Sequence, residues 1–295
     1  MDQKNLVIYR FYRVLLSNKT SLLGMSIVLL FILTALFSLV DKYIFKERLI
    51  SAVLYSPSEM SILDKMQPPS LKHPFGTDQL GRDVLTRIIY GSIISLGVCV
   101  LAVGLSGVTG TIIGLFAGYF GGKFDDFVMR IVDIMLAFPG IILAIAVTGF
   151  LGPGLFTVVI ALSVKSWVTY TRLMRSRVFT IKTSEYIRAI HALGAGNSRI
   201  IFKHILPNCI TPIIVQATMD MGGIMIAEAG LSFLSLGPQP PIPSWGNMLS
   251  VGRSYIVNGW WMAIFPGIAI FLTVLGFNIV GDILQDALDP KIINQ

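Results

Sequence analysis

The chain has 295 residues, 54% of them hydrophobic and only 13% charged, with a net charge of +7. A soluble domain carries about 25% charged residues, so this deficit excludes an ordinary water-soluble core and points to an integral membrane protein. The basic excess does not interleave with exposed aromatics, which argues against nucleic-acid binding and for Lys and Arg held on the cytoplasmic side of a membrane.

Spanning a bilayer takes about 20 mostly apolar residues. Lipid offers no partners for open backbone groups, so spans of this kind are helices and the fold class is all-α with six transmembrane helices. Residues 1–21 form a cytoplasmic arm with Lys4, Arg10, Arg13 and Lys19. The first span, 22–40, is long enough to cross, and the junction Ser38-Leu39-Val40-Asp41-Lys42-Tyr43 at its end offers no small-residue cleavage site, so it reads as a retained anchor. Residues 41–90 are rich in charge of both signs and read as an extracytoplasmic segment.

The second span, 91–117, opens a five-helix core over 91–283. Glycines stand at 104, 107, 110, 114, 118 and 122, the last four on one helix face. Such spacing lets helix backbones approach closely and predicts packing against a neighbouring span. The third span covers 127–150, and Gly152-Pro153-Gly154 turns the chain into the fourth, 155–173. A polar loop over 172–208 precedes the fifth span, 209–236; the Pro-rich loop 237–248 and the sixth span, 261–281, follow, with a tail at 284–295.

Arg172, Arg175, Arg177, Lys182, Arg188, Arg199 and Lys203 oppose a single acid, Glu185, in the 172–208 loop. An even number of spans separates this loop from the basic N-terminal arm. Both therefore lie on the cytoplasmic face, as do both termini.

Catalytic signatures are sparse. His73, His191 and His204 lie outside the spans, in no HExxH motif and beside no nucleophile. Gly121-Gly122-Lys123-Phe124 has Phe where a phosphate loop needs Ser or Thr, and Gly194-Ala195-Gly196-Asn197-Ser198-Arg199 ends in Arg with no strand before it. With no nucleotide, metal or cofactor site of its own, the chain reads as a non-enzyme; ATP, if it drives transport, binds to another subunit. Cys99 and Cys209 sit in apolar surroundings with no CxxC pattern and read as small packing residues.

Charges inside spans are costly, about 2.5–3.5 kcal/mol each at mid-span on insertion scales, so they face a bundle interior or a water-filled path. Asp133 is placed to pair with Arg130, three residues earlier on one helix. Lys165, Asp220 and Glu228 are candidates for a translocation path, or equally for an interhelical ion pair such as Lys165–Asp220.

The segment 185–208, EYIRAIHALGAGNSRIIFKHILPN, keeps Tyr186, Ala189, Ile190 and Leu193 at helical spacing, with Arg188 and His191 pointing elsewhere. Gly194 and Gly196 interrupt that helix. Asn197 or Ser198 is placed to cap a second one through Ile200, Ile201, His204 and Ile205, and Pro207 suits the first turn of the next. Alone, such a helix–elbow–helix fits either a lipid surface or a docking knob for a soluble partner.

This stretch resembles the EAA loop of ABC-importer permeases. The family's Gly and Pro stand thirteen apart, as Gly194 and Pro207 do, and Leu206-Pro207 matches its ending; His204 replaces the family's Ile, and Arg188-Ala189-Ile190 its EAA. That version fits the dipeptide/oligopeptide/nickel branch. HPFGTDQLGRDVLTRIIYG (73–91), MRIVDIMLAFPG (129–140), LSFLSLGPQPPIPSWGNML (231–249) and FNIVGDILQDALDP (277–290) resemble the same branch in the same order, with Gln285 where the pattern has Arg. The resemblance implies a type I ABC-importer permease fold, specifically the second permease of a pair, with one span added before a five-span core. It also implies a heterodimer with a homologous permease, two ATP-binding subunits, and an extracytoplasmic solute-binding protein. Glu185, Tyr186, Arg188, Ala189, Leu193, Gly194, Ala195, Leu206 and Pro207 then form a coupling helix and elbow seated on an ATPase. The cargo implied is a short peptide or a chelated metal such as nickel. No span contains His, which disfavours a bare transition metal. The competing readings are an ion-coupled secondary transporter, which leaves the loop unexplained, and an intramembrane enzyme, which lacks a catalytic set.

Overall fold

In a computed structural model, residues 18–57 and 59–288 are described. Lys4, Arg10 and Arg13 of the basic arm, and tail residues 289–295, lie outside them. The described chain is helical, with one isolated bridge between Thr77 and Asp83. Its elements are α1 (Lys19–Tyr43), α2 (Arg48–Val53), α3 (Val84–Phe120), α4 (Gly122–Ala137), α5 (Gly140–Leu151), α6 (Leu155–Lys182), α7 (Glu185–Ala192), α8 (Asn197–Phe233), α9 (Trp245–Arg253) and α10 (Trp261–Leu288).

Four of these, α1, α3, α8 and α10, are long and apolar enough to cross a membrane, and the bent pair α4–α5 makes a fifth candidate. Two expectations change here. The third span is not straight: Phe138 is extended (ψ 132°) before Pro139, as the residue preceding a proline prefers, and the chain turns by 93°. The fourth segment forms the 28-residue α6 but falls short of the others in apolarity, because Lys165, Arg172, Arg175 and Arg177 dilute it.

α3 and α6 form the tightest pair. Side-chain methyls added at Gly110, Gly114 or Gly118 would collide with the α6 backbone or its Cβ atoms at Trp167, Thr171, Met174 and Val178. Thr171 Oγ1 and Ser163 Oγ then reach across to the carbonyls of Gly110 and Ala102. The expected small-residue face is thus an interhelical contact. Gly122 is not part of it, since α3 ends at Phe120 and nothing lies near that position. α1 packs along α10, where Gly24 faces Ile279 and Gly276 faces Ile27 and Val28.

Trp245 at the start of α9 is fully buried and joins three elements. Its Nε1–H donates to the Ile88 carbonyl at 2.8 Å, its backbone N–H donates to Ser95 Oγ at 3.1 Å, and Phe31 meets its ring edge-on at 5.3 Å. The mixed-sign segment before α3 spends its charges internally. Asp83 caps α3 through the Thr86 N–H at 2.8 Å and holds His73 at 2.9 Å. Arg82 pairs with Asp78 at 2.6 Å and Lys72 with Asp64 at 3.1 Å, and Asp41 accepts from the Leu49 and Ile50 N–H groups and from the Tyr90 hydroxyl. This segment lies at the N-terminal end of α3. The 183–196 elbow meets α3 at the other end, where Ile187 packs with Leu115 and Tyr119.

Candidate functional site

The elbow rests on a small apolar cluster of its own. Ile187 of α7 and Ile200, Ile201 and Ile205 of α8 pack with Leu115 and Tyr119 of α3, Met174 and Val178 of α6, and Cys209. The predicted apolar face therefore divides. Ile190 points inward, beside Ile187, which was not part of that face, whereas Tyr186, Ala189 and Leu193 stay exposed, Leu193 by 88%. Glu185, Arg188, Gly194 and Pro207 are exposed beside them, while Ala195 and Leu206 pack against the cluster. α7 thus presents an apolar strip with charged edges, held from behind.

Gly194 sets the turn. Its φ of +84° is the left-handed region that closes a helix, the Gly194 N–H bonds the His191 carbonyl at 3.0 Å, and the Ala195 N–H bonds that of Ile190 at 3.3 Å. This pair of bonds is the Schellman arrangement, and the apolar contact of Ala195 with the cluster completes it.

Two expectations about the loop are corrected and a third holds in part. It does not begin at 172, because α6 runs unbroken to Lys182. The cap of α8 is Gly196, with no side-chain cap bond; Asn197 Oδ1 instead accepts from the Tyr119 hydroxyl at 2.9 Å. Pro207 stands in the first turn of the regular α-helical stretch Leu206–Phe233, as expected, but no break precedes that stretch. Residues Ile200–Ile205 widen into a π turn, in which the Leu206 N–H reaches back to the Ile201 carbonyl, and α8 passes through Pro207. A wider turn accommodates a ring that would otherwise crowd the carbonyl four residues back, and Asn208 Nδ2 donates to the His204 carbonyl at 2.6 Å. The Tyr186 hydroxyl lies 2.6 Å from His204 Nδ1 and ties α7 to this turn. Tyr119, Ile187 and His204 were not among the predicted contacts. The His204 departure from the family's apolar residue was the one sequence signal pointing to that bond.

The span charges have separate fates. Lys165 Nζ donates to the carbonyls of Met135 and Phe138, at 2.9 and 3.3 Å, at the α4–α5 break. Asp220 accepts from Gln216 Nε2 at 2.9 Å. Among the described residues no ion pair joins Lys165 to Asp220, but both line one cavity of roughly 260 Å³ between α5, α6 and α8. Glu228 is fully buried elsewhere, accepting from Ser232 Oγ at 2.8 Å. Asp133 is exposed and unpaired with Arg130. Arg175 instead makes the cross-helix pair, a fork onto both Asp125 oxygens at 2.5 and 2.6 Å. Cys99 and Cys209 are free and buried, as packing residues are. Among the described residues no cluster of His, Cys, Asp and Glu could hold a metal.

Residues 110–294 match the family described as binding-protein-dependent transport system inner membrane component. A dipeptide transport system permease protein of Alkalihalophilus pseudofirmus is 45% identical over 280 residues, covering 95% of this chain and 88% of its own. A di/tripeptide transport system permease protein of Pseudomonas aeruginosa is 40% identical over 290 residues, covering 96% and 92%. A glutathione transport system permease protein of Pectobacterium atrosepticum is 46% identical over 224 residues, covering 76% and 74%.

Proposed function

The chain belongs to the family of inner membrane components of binding-protein-dependent transport systems, and from that membership we propose that it is one of two permeases in an ATP-driven importer of short peptides. It is a multi-pass membrane protein and a non-catalytic subunit. The peptide cargo is favoured over a chelated metal because relatives covering most of this chain are named for dipeptides, di- or tripeptides and glutathione.

One observation carries the coupling role. α7 leaves Tyr186, Ala189 and Leu193 exposed, rimmed by Glu185 and Arg188, while Ile187 and the Tyr186–His204 contact hold it to α3 and α8, which the Tyr119–Asn197 bond ties to each other. A lipid-seeking helix needs an apolar face but no rigid mounting. A helix that must transmit motion needs both. We assign α7 and the Gly194 elbow as the coupling element seated on an ATPase, whose closure on ATP moves α3, α6 and α8 together. The two faces of the protein then bias one two-state element, as coupling requires.

In this reading α1 is the added span, and α3, the bent α4–α5 pair, α6, α8 and α10 are the five-span core of a type I permease over 91–283. The basic residues around α7 favour a cytoplasmic elbow and cytoplasmic termini, with segment 41–90 outside. The second permease covers the open side of the Lys165–Asp220 cavity. Glu228, sealed against Ser232, is assigned to packing.

Reconstitution tests the proposal. Proteoliposomes holding both permeases, the ATPase subunits and the binding protein are expected to accumulate a short peptide only with ATP. Accumulation without the ATPases, driven by an ion gradient, overturns the importer reading in favour of a secondary transporter.

A further inference from the structure

The cavity between α5, α6 and α8 has a polarity that its packing does not explain. At one end stand Lys165 and the start of α5. The lysine stem lies across Gly140, where an added Cβ would come within 3.3 Å of its Cγ, and the ammonium bonds the carbonyls of Met135 and Phe138. An ammonium has three donors, so one remains. The N–H groups of Gly140 and Ile141, both lining the cavity, precede the first intrahelical acceptors of α5 and add the positive end of its dipole. Asp220, on the lining of the same cavity, meets only neutral groups, the Gln216 amide and the Tyr170 hydroxyl, and Ser166 and Thr169 line the cavity too. Two costly span charges of opposite sign therefore share a cavity and do not neutralise each other.

We propose that this cavity is a subsite for a zwitterionic short peptide, the α-carboxylate seated at Lys165 and the α5 N-terminus and the α-ammonium at Asp220. The inference rests on the peptide reading above and deepens it by assigning what the permease itself recognises: the two free chain ends rather than the side chains. A volume of roughly 260 Å³ is near the lower limit of small-molecule pockets, about 300 Å³, and suits a dipeptide rather than an extended oligopeptide. Charged hydrogen bonds at both ends orient the ligand, and the apolar wall of Ile141, Leu162 and Ile224 tolerates varied side chains.

The test is direct binding of radiolabelled dialanine to the whole complex in nanodiscs, without the binding protein, competed by dialanine, dialanine amide and N-acetyl-dialanine. Lys165→Gln keeps an N–H donor on a side chain one bond shorter, and Asp220→Asn keeps an acceptor for Gln216, so both variants remove the charge while remaining polar at the same position. In the wild type each blocked peptide is expected to compete roughly tenfold less well than dialanine, as loss of a charged hydrogen bond implies. Lys165→Gln is expected to erase the difference between dialanine and its amide alone, and Asp220→Asn that between dialanine and its N-acetyl form alone. Equal competition by all three in the wild type, no dialanine binding, or a uniform loss in both variants overturns the subsite. None of these results bears on ATP-driven uptake by the full system, which decides the importer reading separately.

Discussion

The Tyr119 hydroxyl, one residue from the C-terminus of α3, donates to Asn197 Oδ1 at the first residue of α8, at 2.9 Å. Lys182, the last residue of α6, donates to the Tyr119 carbonyl and lies over the same ring, 5.3 Å from its centroid. One residue thus gathers the ends of three long helices at the elbow. Tyr119→Phe removes the hydroxyl bond but keeps the ring, at about 0.5–1.5 kcal/mol of stability. The expected outcome is normal membrane insertion and normal co-purification with the ATPases, but weaker stimulation of ATP hydrolysis by the loaded binding protein. Unchanged stimulation would show that the hydroxyl bond plays no part in transmission.

Gly194 separates backbone strain from charge. Its φ of +84° costs an ordinary L residue about 1–2 kcal/mol, whereas Asn and Asp both visit this region more readily. No atom lies within 4 Å of a Cβ placed there, so the isolated subunit offers no steric objection. Gly194→Asn is expected to keep most transport, Gly194→Ala to lose part of it through strain, and Gly194→Asp to abolish it by placing an acid against the ATPase, all three inserting normally. Uptake assays decide: equal activity for the Asn and Asp variants removes charge from the account, and wild-type uptake and ATPase co-purification in Gly194→Asp remove the docking role.

The elbow and the α3–α6 contact were legible in the sequence because each rests on a local rule. Gly194 follows an amphipathic turn, and Gly110, Gly114 and Gly118 repeat on one face. What was not legible depended on neighbours. Helical spacing grouped Tyr186, Ala189, Ile190 and Leu193, yet tertiary packing chose Ile187 and Ile190 as the buried pair. Pro139 carried a readable break signal, but the apolar run across it concealed a 93° turn. Lys165 and Asp220 were recognised as costly charges. Their separate partners could not be foreseen, since one of them is a pair of carbonyls that exists only because α4 ends there.

Arg175 and Asp125 form a two-pronged pair between α6 and the first turn of α4, with the arginine side chain 40% exposed and the aspartate 14%. Exposed ion pairs contribute 0–1 kcal/mol, and forked Arg–carboxylate geometry lies at the upper end of that range. A double-mutant cycle with Asp125→Asn and Arg175→Gln, read from thermal melts of the detergent-solubilised protein, is expected to give a coupling of about 1 kcal/mol that shrinks in high salt. Strict additivity would mean that the pair does not hold α4 to α6.

The glycine face of α3 contains its own control. At Gly114 an added methyl runs into the Thr171 carbonyl and Met174 Cβ, so α3 and α6 must separate and lose the contacts that surround them. Overpacking of this kind costs about 1–3 kcal/mol. At Gly104, on the same helix ten residues earlier, nothing lies within 4 Å, and Ala should cost nothing or stabilise through its better helix propensity, worth up to about 1 kcal/mol. Gly114→Ala is therefore expected to lower the melting temperature of the detergent-solubilised protein, and Gly104→Ala to leave it unchanged or raise it. The contrast matters more than either value, because both substitutions add one methyl to one helix and differ only in what that methyl meets. Equal shifts for the two would mean that helix propensity alone governs α3 and that its close approach to α6 is not what stabilises the bundle.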